Sequence, residues 1–157
     1  LLDAMAILTA QPGKLENLKL LVAGEFYEDE KTYQQKIDDA GIRKDLLLKT
    51  GYIPEKSVRN FFCAADVVVQ PYRHATQSGV TPLAYHFEKP MIVTNVGGLP
   101  LYVTHEEAGL ICEPNPEAIA AAIRRYFELG EQHFIPHLRR EKAKYSWVNL
   151  VKAIIDI

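Results

Sequence analysis

Asp66–Asn95 reads DVVVQPYRHATQSGVTPLAYHFEKPMIVTN, and its order of apolar and polar residues decides the fold. "DVVVQP" is a short β-branched run closing on proline, as a buried strand does. A polar turn with one glycine, Gly79, opens an apolar segment that runs to Phe87 at helical spacing. "PMIVTN" (Pro90 to Asn95) is a second apolar run. Strand, helix and strand in so short a span predict a right-handed βαβ unit with parallel strands.

The same alternation extends in both directions. Upstream lie the apolar runs "LKLLVAG" (Leu18 to Gly24) and "LLLKTG" (Leu46 to Gly51). A polar helix from Glu30 to Ala40, with Gly41 at its C-cap, separates them. "PEKSVRNFFCAA" (Pro54 to Ala65) is a further helix with proline in its first turn. Downstream, "GLICEP" (Gly109 to Pro114) is the fifth apolar run. "NPEAIAAAIRRYFELG" is the cleanest helix, with Asn115 as N-cap, Pro116 at the first position and Gly130 as stop. Helical stretches over Glu131–Lys144 and Trp147–Ile157 complete the chain. The expectation is an α/β, Rossmann-like three-layer α/β/α domain spanning residues 1–157, its mainly parallel sheet covered on both faces. The first helix, "LLDAMAILTA", is apolar at Leu1, Leu2, Met5 and Leu8 and has no cap in front of it, as expected of a piece cut from a longer chain.

The 157 residues are 48% hydrophobic and 24% charged, ordinary for a globular domain, and the formal net charge is -2. Interspersed charges of both signs exclude the basic stripe that a nucleic-acid partner requires. Cys63 and Cys112 sit in apolar surroundings without metal-ligand spacing, which predicts buried free thiols in a reducing compartment. No apolar run reaches the roughly 20 residues that span a bilayer. A cytoplasmic location follows as the expectation.

In an open α/β sheet, ligands bind at the carboxyl ends of strands. Two junctions there suit a phosphate. In "HATQSGV" (His74 to Val80), Gly79 permits close backbone approach and Thr76 and Ser78 carry hydroxyl donors. In "NVGGLP" (Asn95 to Pro100), Gly97 and Gly98 permit a tight turn. Either junction also reads as a simple conformational need.

The ordered set Gly51-Tyr52-Ile53-Pro54, Ala65-Asp66, Pro71, Ser78-Gly79-Val80, Pro90-Met91-Ile92-Val93-Thr94 and Gly97-Gly98-Leu99-Pro100, with "YSW" near the end, is far more specific than any one member. It resembles the C-terminal, donor-binding half of a family 4 retaining glycosyltransferase of the GT-B fold, over essentially the whole chain. The resemblance implies a nucleoside-diphosphate sugar as donor substrate, transfer with retention of configuration and no metal cofactor. It places Thr76, Gln77, Ser78, Gly79 and Val80 in the loop facing the donor diphosphate and Gly51, Tyr52 and Ile53 beside the nucleobase. Gly97 and Gly98 fall in a second donor loop. Arg73, as the guanidinium beside the first loop, can fork onto a phosphate or remain a solvated charge.

Two departures qualify the resemblance. The family's two glutamates around this loop fall at Thr76 and Ala84, neither of which is a carboxylate, so "TQSGV" reads as an altered donor site. The family's first strand, its basic loop and the acceptor-binding N-terminal domain would precede Leu1, so this stretch by itself is expected to be inactive and the catalytic residues stay unassigned. The full protein is expected to be a hexosyl-type transferase in polysaccharide or glycoconjugate assembly, with peripheral attachment to the inner membrane left open. The alternatives are a non-catalytic binding or interaction module and, more distantly, a nucleotide-sugar epimerase. Among single residues, His74 reads as a surface turn residue, His86 as packing, Tyr52 as a base platform or core lid, and Trp147 as structural. Glu106 and Glu107 read as solvated charges.

Overall fold

A computed structural model of the chain describes residues 1–10, 15, 17–26, 29–144, 151, 154 and 155. Its elements are α1 (Leu2–Ala10), β1 (Leu20–Gly24), α2 (Glu30–Asp39), β2 (Leu46–Thr50), α3 (Glu55–Ala64) and β3 (Val68–Gln70). They continue with α4 (Val80–His86), β4 (Met91–Thr94), β5 (Gly109–Cys112), α5 (Pro116–Leu129) and α6 (Glu131–Lys144). Short 3-10 turns occupy Arg43–Asp45 and Leu99–Leu101. The expected helix over 147–157, with Trp147, lies outside the described residues apart from positions 151, 154 and 155.

The five strands among the described residues all pair in parallel, in two hydrogen-bonded groups. β1 pairs with β2 from Leu20–Leu46 to Gly24–Thr50, and β3, β4 and β5 form a separate group with Val68 opposite Met91 and Met91 opposite Gly109. The expected parallel pairing is met, its hydrogen bonds among the described residues falling into two sheets. Side-chain packing holds the two groups together: Ile37, Ile42 and Leu46 share one apolar cluster with Met91, Ile92, Val93 and Leu110. Packing of this kind needs no backbone register, so it joins elements that hydrogen bonds leave separate.

β4 is the central strand of its group, and Met91 to Thr94 are all buried, which explains an apolar run with no alternation. α5 buries Ile119, Ala120, Ala122, Ile123 and Tyr126 along one face and packs on α1 through Ala4, Met5 and Leu8. The Asn115 side chain accepts the Ala118 N–H at 2.8 Å, and Gly130, at φ +78°, ends the helix. In contrast, Pro54 is the N-cap of α3 and lies outside its first turn.

α6 is fastened twice. Phe134 and Leu138, one turn apart, are fully buried, and the Phe134 ring stacks on Tyr126 with centroids 5.7 Å apart. Outside that contact, Glu88 takes Arg139 at 2.8 Å and Lys142 at 3.0 Å. Hydrogen bonds from Arg139 and then Lys142 hold the Glu88 carboxyl below its ordinary value of 4.5. A depressed folded value means that the stabilisation is complete above the ordinary value and is lost as pH falls through the folded one. In a melting series the wild type should exceed Glu88→Gln near neutral pH, and the gap should close on acidification. A gap independent of pH would exclude this role for the carboxylate.

Both cysteine expectations need adjustment. Cys63 is exposed, because Phe62 takes the inward position of α3 and stacks on Phe87 at 5.1 Å, turning the next residue outward. Cys112 is half-buried at the end of β5, and burial, with the Glu113 charge adding to it, pushes its thiol up to about 11. Since thiolate is the reacting form, iodoacetamide at mildly alkaline pH should alkylate Cys63 well ahead of Cys112 in the native protein. Peptide mass spectrometry reads this, and equal labelling would contradict the burial of Cys112.

Candidate functional site

The site lies where β3 and β4 end. From Gln70 the chain runs through Pro71–Gly79 into α4, and from Thr94 through Asn95–Gly98 into the turn Leu99–Leu101. The two loops rest on one another: the Gly98 N–H donates to the Thr76 carbonyl at 3.1 Å. A Cβ on Gly97 would overlap the Ala75 carbonyl oxygen, and one on Gly98 would overlap that of Thr76. Close backbone approach is therefore required here, as the sequence suggests, but the approach is of one protein loop to the other. Arg73, His74, Ala75, Thr76, Val96 and Gly97 line an open cleft of about 640 Å³.

Gly79 differs in kind. It has φ -66° as the N-cap of α4, and a Cβ built on it would meet no protein atom within 4 Å. Nothing in the fold demands glycine at this position. The Ser78 hydroxyl accepts the Val80 N–H at 3.2 Å and lies 3.3 Å from the Tyr72 hydroxyl, where either oxygen can donate. Val80 itself opens α4, and Gln77 is exposed.

Beneath the loops, the Thr94 hydroxyl donates to the Tyr72 carbonyl at 2.6 Å, and Thr81 donates to Gln70 Oε1 at 3.2 Å. Gln70 is buried, and its Nε2 finds no hydrogen-bond partner among the described residues. Ala84, one turn after Thr81, is wholly inside the core. A carboxylate at that position would be desolvated in this packing.

Of the residues singled out in sequence, the cleft gathers Arg73, Thr76 and Gly97, with Gly98, Ser78 and Gly79 on the same pair of loops. His74 joins the lining and is exposed. Gly51, Tyr52 and Ile53 follow β2 in the other strand group and do not line the cleft. Gly51, at φ +116°, donates its N–H to Gly24 at 3.3 Å. Tyr52 is 77% exposed, which removes the core-lid reading and leaves its ring free for stacking. His86 makes an edge contact with Phe87.

Glu106 and Glu107 are solvated, as expected, but each also carries a partner. Glu106 pairs with Arg125 at 3.0 Å and Glu107 with Arg140 at 2.8 Å, so both tie the loop before β5 to the helices above it. Tyr72, Gln70, Thr81, Thr94 and Val96 are site components that sequence reasoning passed over. The visible signal was a glutamine inside a β-branched run, a polar group that a buried strand carries only with a partner at hand.

Chemically, the residues that line the cleft bring a guanidinium, an imidazole and the Thr76 hydroxyl, with no carboxylate among them. That set suits an anion with several oxygens. The chain belongs to the glycosyl transferases group 1 family, whose profile matches residues 1–128. It is 29% identical over 161 residues to the uncharacterized glycosyltransferase MJ1607 of Methanocaldococcus jannaschii, covering 96% of this chain and 40% of that protein. Among solved structures it is similar to Anabaena Alr3699/HepE in complex with UDP, with a TM-score of 0.81 at 18% identity over 99% of this chain and 43% of that one. It is also similar to the C-terminal domain of the group 1 family protein LpcC from Francisella tularensis, with a TM-score of 0.72 at 19% identity, covering 90% of this chain and 73% of that one. The fold is thus the three-layer α/β/α arrangement with parallel strands found in the C-terminal half of GT-B glycosyltransferases. The chain spans about 40% of the length of the curated relative it matches. Among the described residues, no helix is long and apolar enough to cross a membrane.

Proposed function

We propose that this is the donor-binding domain of a family 4 retaining glycosyltransferase, of a "TQSGV" loop type, taking a sugar from a nucleoside-diphosphate donor. The observation that carries the reading is the cleft at the ends of β3 and β4, with Arg73 in its wall and unfilled space above Gly79. The leaving diphosphate gains charge as the sugar departs, and fixed donors that meet this charge lower the barrier. Arg73 and the Thr76 hydroxyl serve that purpose here, and no metal forms part of the reading. HepE, similar in fold, has been solved with UDP and with UDP-glucose, which supports a nucleotide-sugar donor and a hexosyl group. The acceptor is assigned to a separate N-terminal domain, and the whole enzyme to the cytoplasm. With Thr76 and Ala84 where the family carries carboxylates, other groups hold the sugar and ribose hydroxyls.

A thermal-shift panel with UDP, GDP and ADP tests this on wild type and Gly79→Ala. Ligand at about 100 times its Kd stabilises by roughly 2.7 kcal/mol, so one nucleotide should raise the wild-type midpoint clearly. Gly79→Ala meets no protein atom and should keep the ligand-free midpoint while losing the rise. No rise with any nucleotide would favour the non-catalytic module, the reading that the missing carboxylates at Thr76 and Ala84 support.

A further inference from the structure

We propose that Tyr72 is a positioning residue, whose hydroxyl holds the Thr76–Val80 turn that leads from the cleft-lining Thr76 into α4. The geometric claim is independent of ligand; its consequence for binding rests on the nucleotide reading above.

Tyr72 is itself held from below. Thr94, 1% exposed on the central strand β4, donates to the Tyr72 carbonyl at 2.6 Å, so the residue leaves β3 at a fixed height. Its side chain then bridges the loop to the Ser78 hydroxyl at 3.3 Å, and Ser78 in turn accepts the Val80 N–H. At the other end of the turn, the Thr76 carbonyl accepts from Gly98. The turn is thereby gripped on both sides, at Thr76 by the glycine loop and at Ser78 by Tyr72. Gln77 and Gly79, between and beside these grips, are exposed. Tyr72 is 36% exposed, so apolar burial alone does not explain a tyrosine here. Its hydroxyl replaces a loose surface turn with one tied to the sheet, and a preorganised loop binds a ligand without first losing conformational freedom.

The experiment compares wild type, Tyr72→Phe, Ser78→Ala and the double variant. Amide hydrogen exchange is followed in the ligand-free protein, and UDP, GDP and ADP binding by calorimetry. Tyr72→Phe keeps the ring and the Thr94 bond and removes only the bridge. Exchange at Val80 should accelerate severalfold, with β4 and α5 amides unchanged. Affinity for the bound nucleotide should fall about fivefold, the usual scale of one hydrogen bond. Because both residues act through one bridge, the double variant should bind less weakly than the product of the two single losses predicts. Unchanged Val80 exchange in Tyr72→Phe overturns the proposal, as do unchanged affinity or independent, multiplying losses. Should the wild type bind none of the three nucleotides, the donor reading fails, and Val80 exchange alone still decides the role of Tyr72.

Discussion

Gly97→Ala should cost about 4 kcal/mol or more, beyond the range of ordinary single substitutions. Two independent penalties meet at this residue. Its φ of +51° lies in the left-handed region that a Cβ disfavours. The added carbon would also overlap the carbonyl oxygen of Ala75, a backbone atom that cannot swing aside as a side-chain tip can. Relief requires parting the two loops, which breaks the Gly98 to Thr76 hydrogen bond and opens the cleft wall. For a domain of this size the loss corresponds to a fall in Tm of about 10 °C, measured by circular dichroism. Gly79→Ala is the internal control, three residues beyond Thr76 and with no atom in its way. If Gly97→Ala melts within a degree or two of wild type, the loops do not pack as described.

Phe134→Ala is expected to cost about 3–5 kcal/mol by deleting a buried aromatic side chain and leaving a cavity. Phe134 is fully buried and stacks on Tyr126, whose hydroxyl donates to the Asp66 carbonyl at 2.9 Å just before β3. The substitution therefore loosens the seam that joins α6, α5 and the entrance to β3. The surface ion pairs of Glu88 with Arg139 and Lys142 should not compensate, since exposed pairs contribute at most about 1 kcal/mol each. Phe134 does not line the cleft, so the folded fraction should retain nucleotide affinity. Urea titration reads the stability, and a change below about 1 kcal/mol would place the ring outside the core.

The single Gly79 and the pair Gly97–Gly98 look alike in the sequence. Both stand at strand-to-helix junctions and both read as phosphate loops. Only the folded chain separates them, since Gly97 and Gly98 are required by Ala75 and Thr76 whereas Gly79 is required by nothing within the protein. Likewise, the ion pairs of the solvated Glu106 and Glu107 were hidden because their partners, Arg125 and Arg140, come from helices distant in sequence. Tyr72 was invisible for the same reason: its role depends on Thr94, which is supplied by the following strand.

What the sequence by itself determined is most of what depends on neighbours along the chain. The βαβ order from Asp66 to Asn95, the Asn115 cap, the Gly130 stop and the apolar face of α5 all follow from spacing, turn chemistry and local hydrogen bonds. The tertiary structure alone decided how the strands divide into two hydrogen-bonded groups, that Cys63 faces outward, and which loop meets which. Those outcomes turn on contacts between residues far apart in sequence, where packing volume and hydrogen-bond partners are set by the whole fold and not by periodicity.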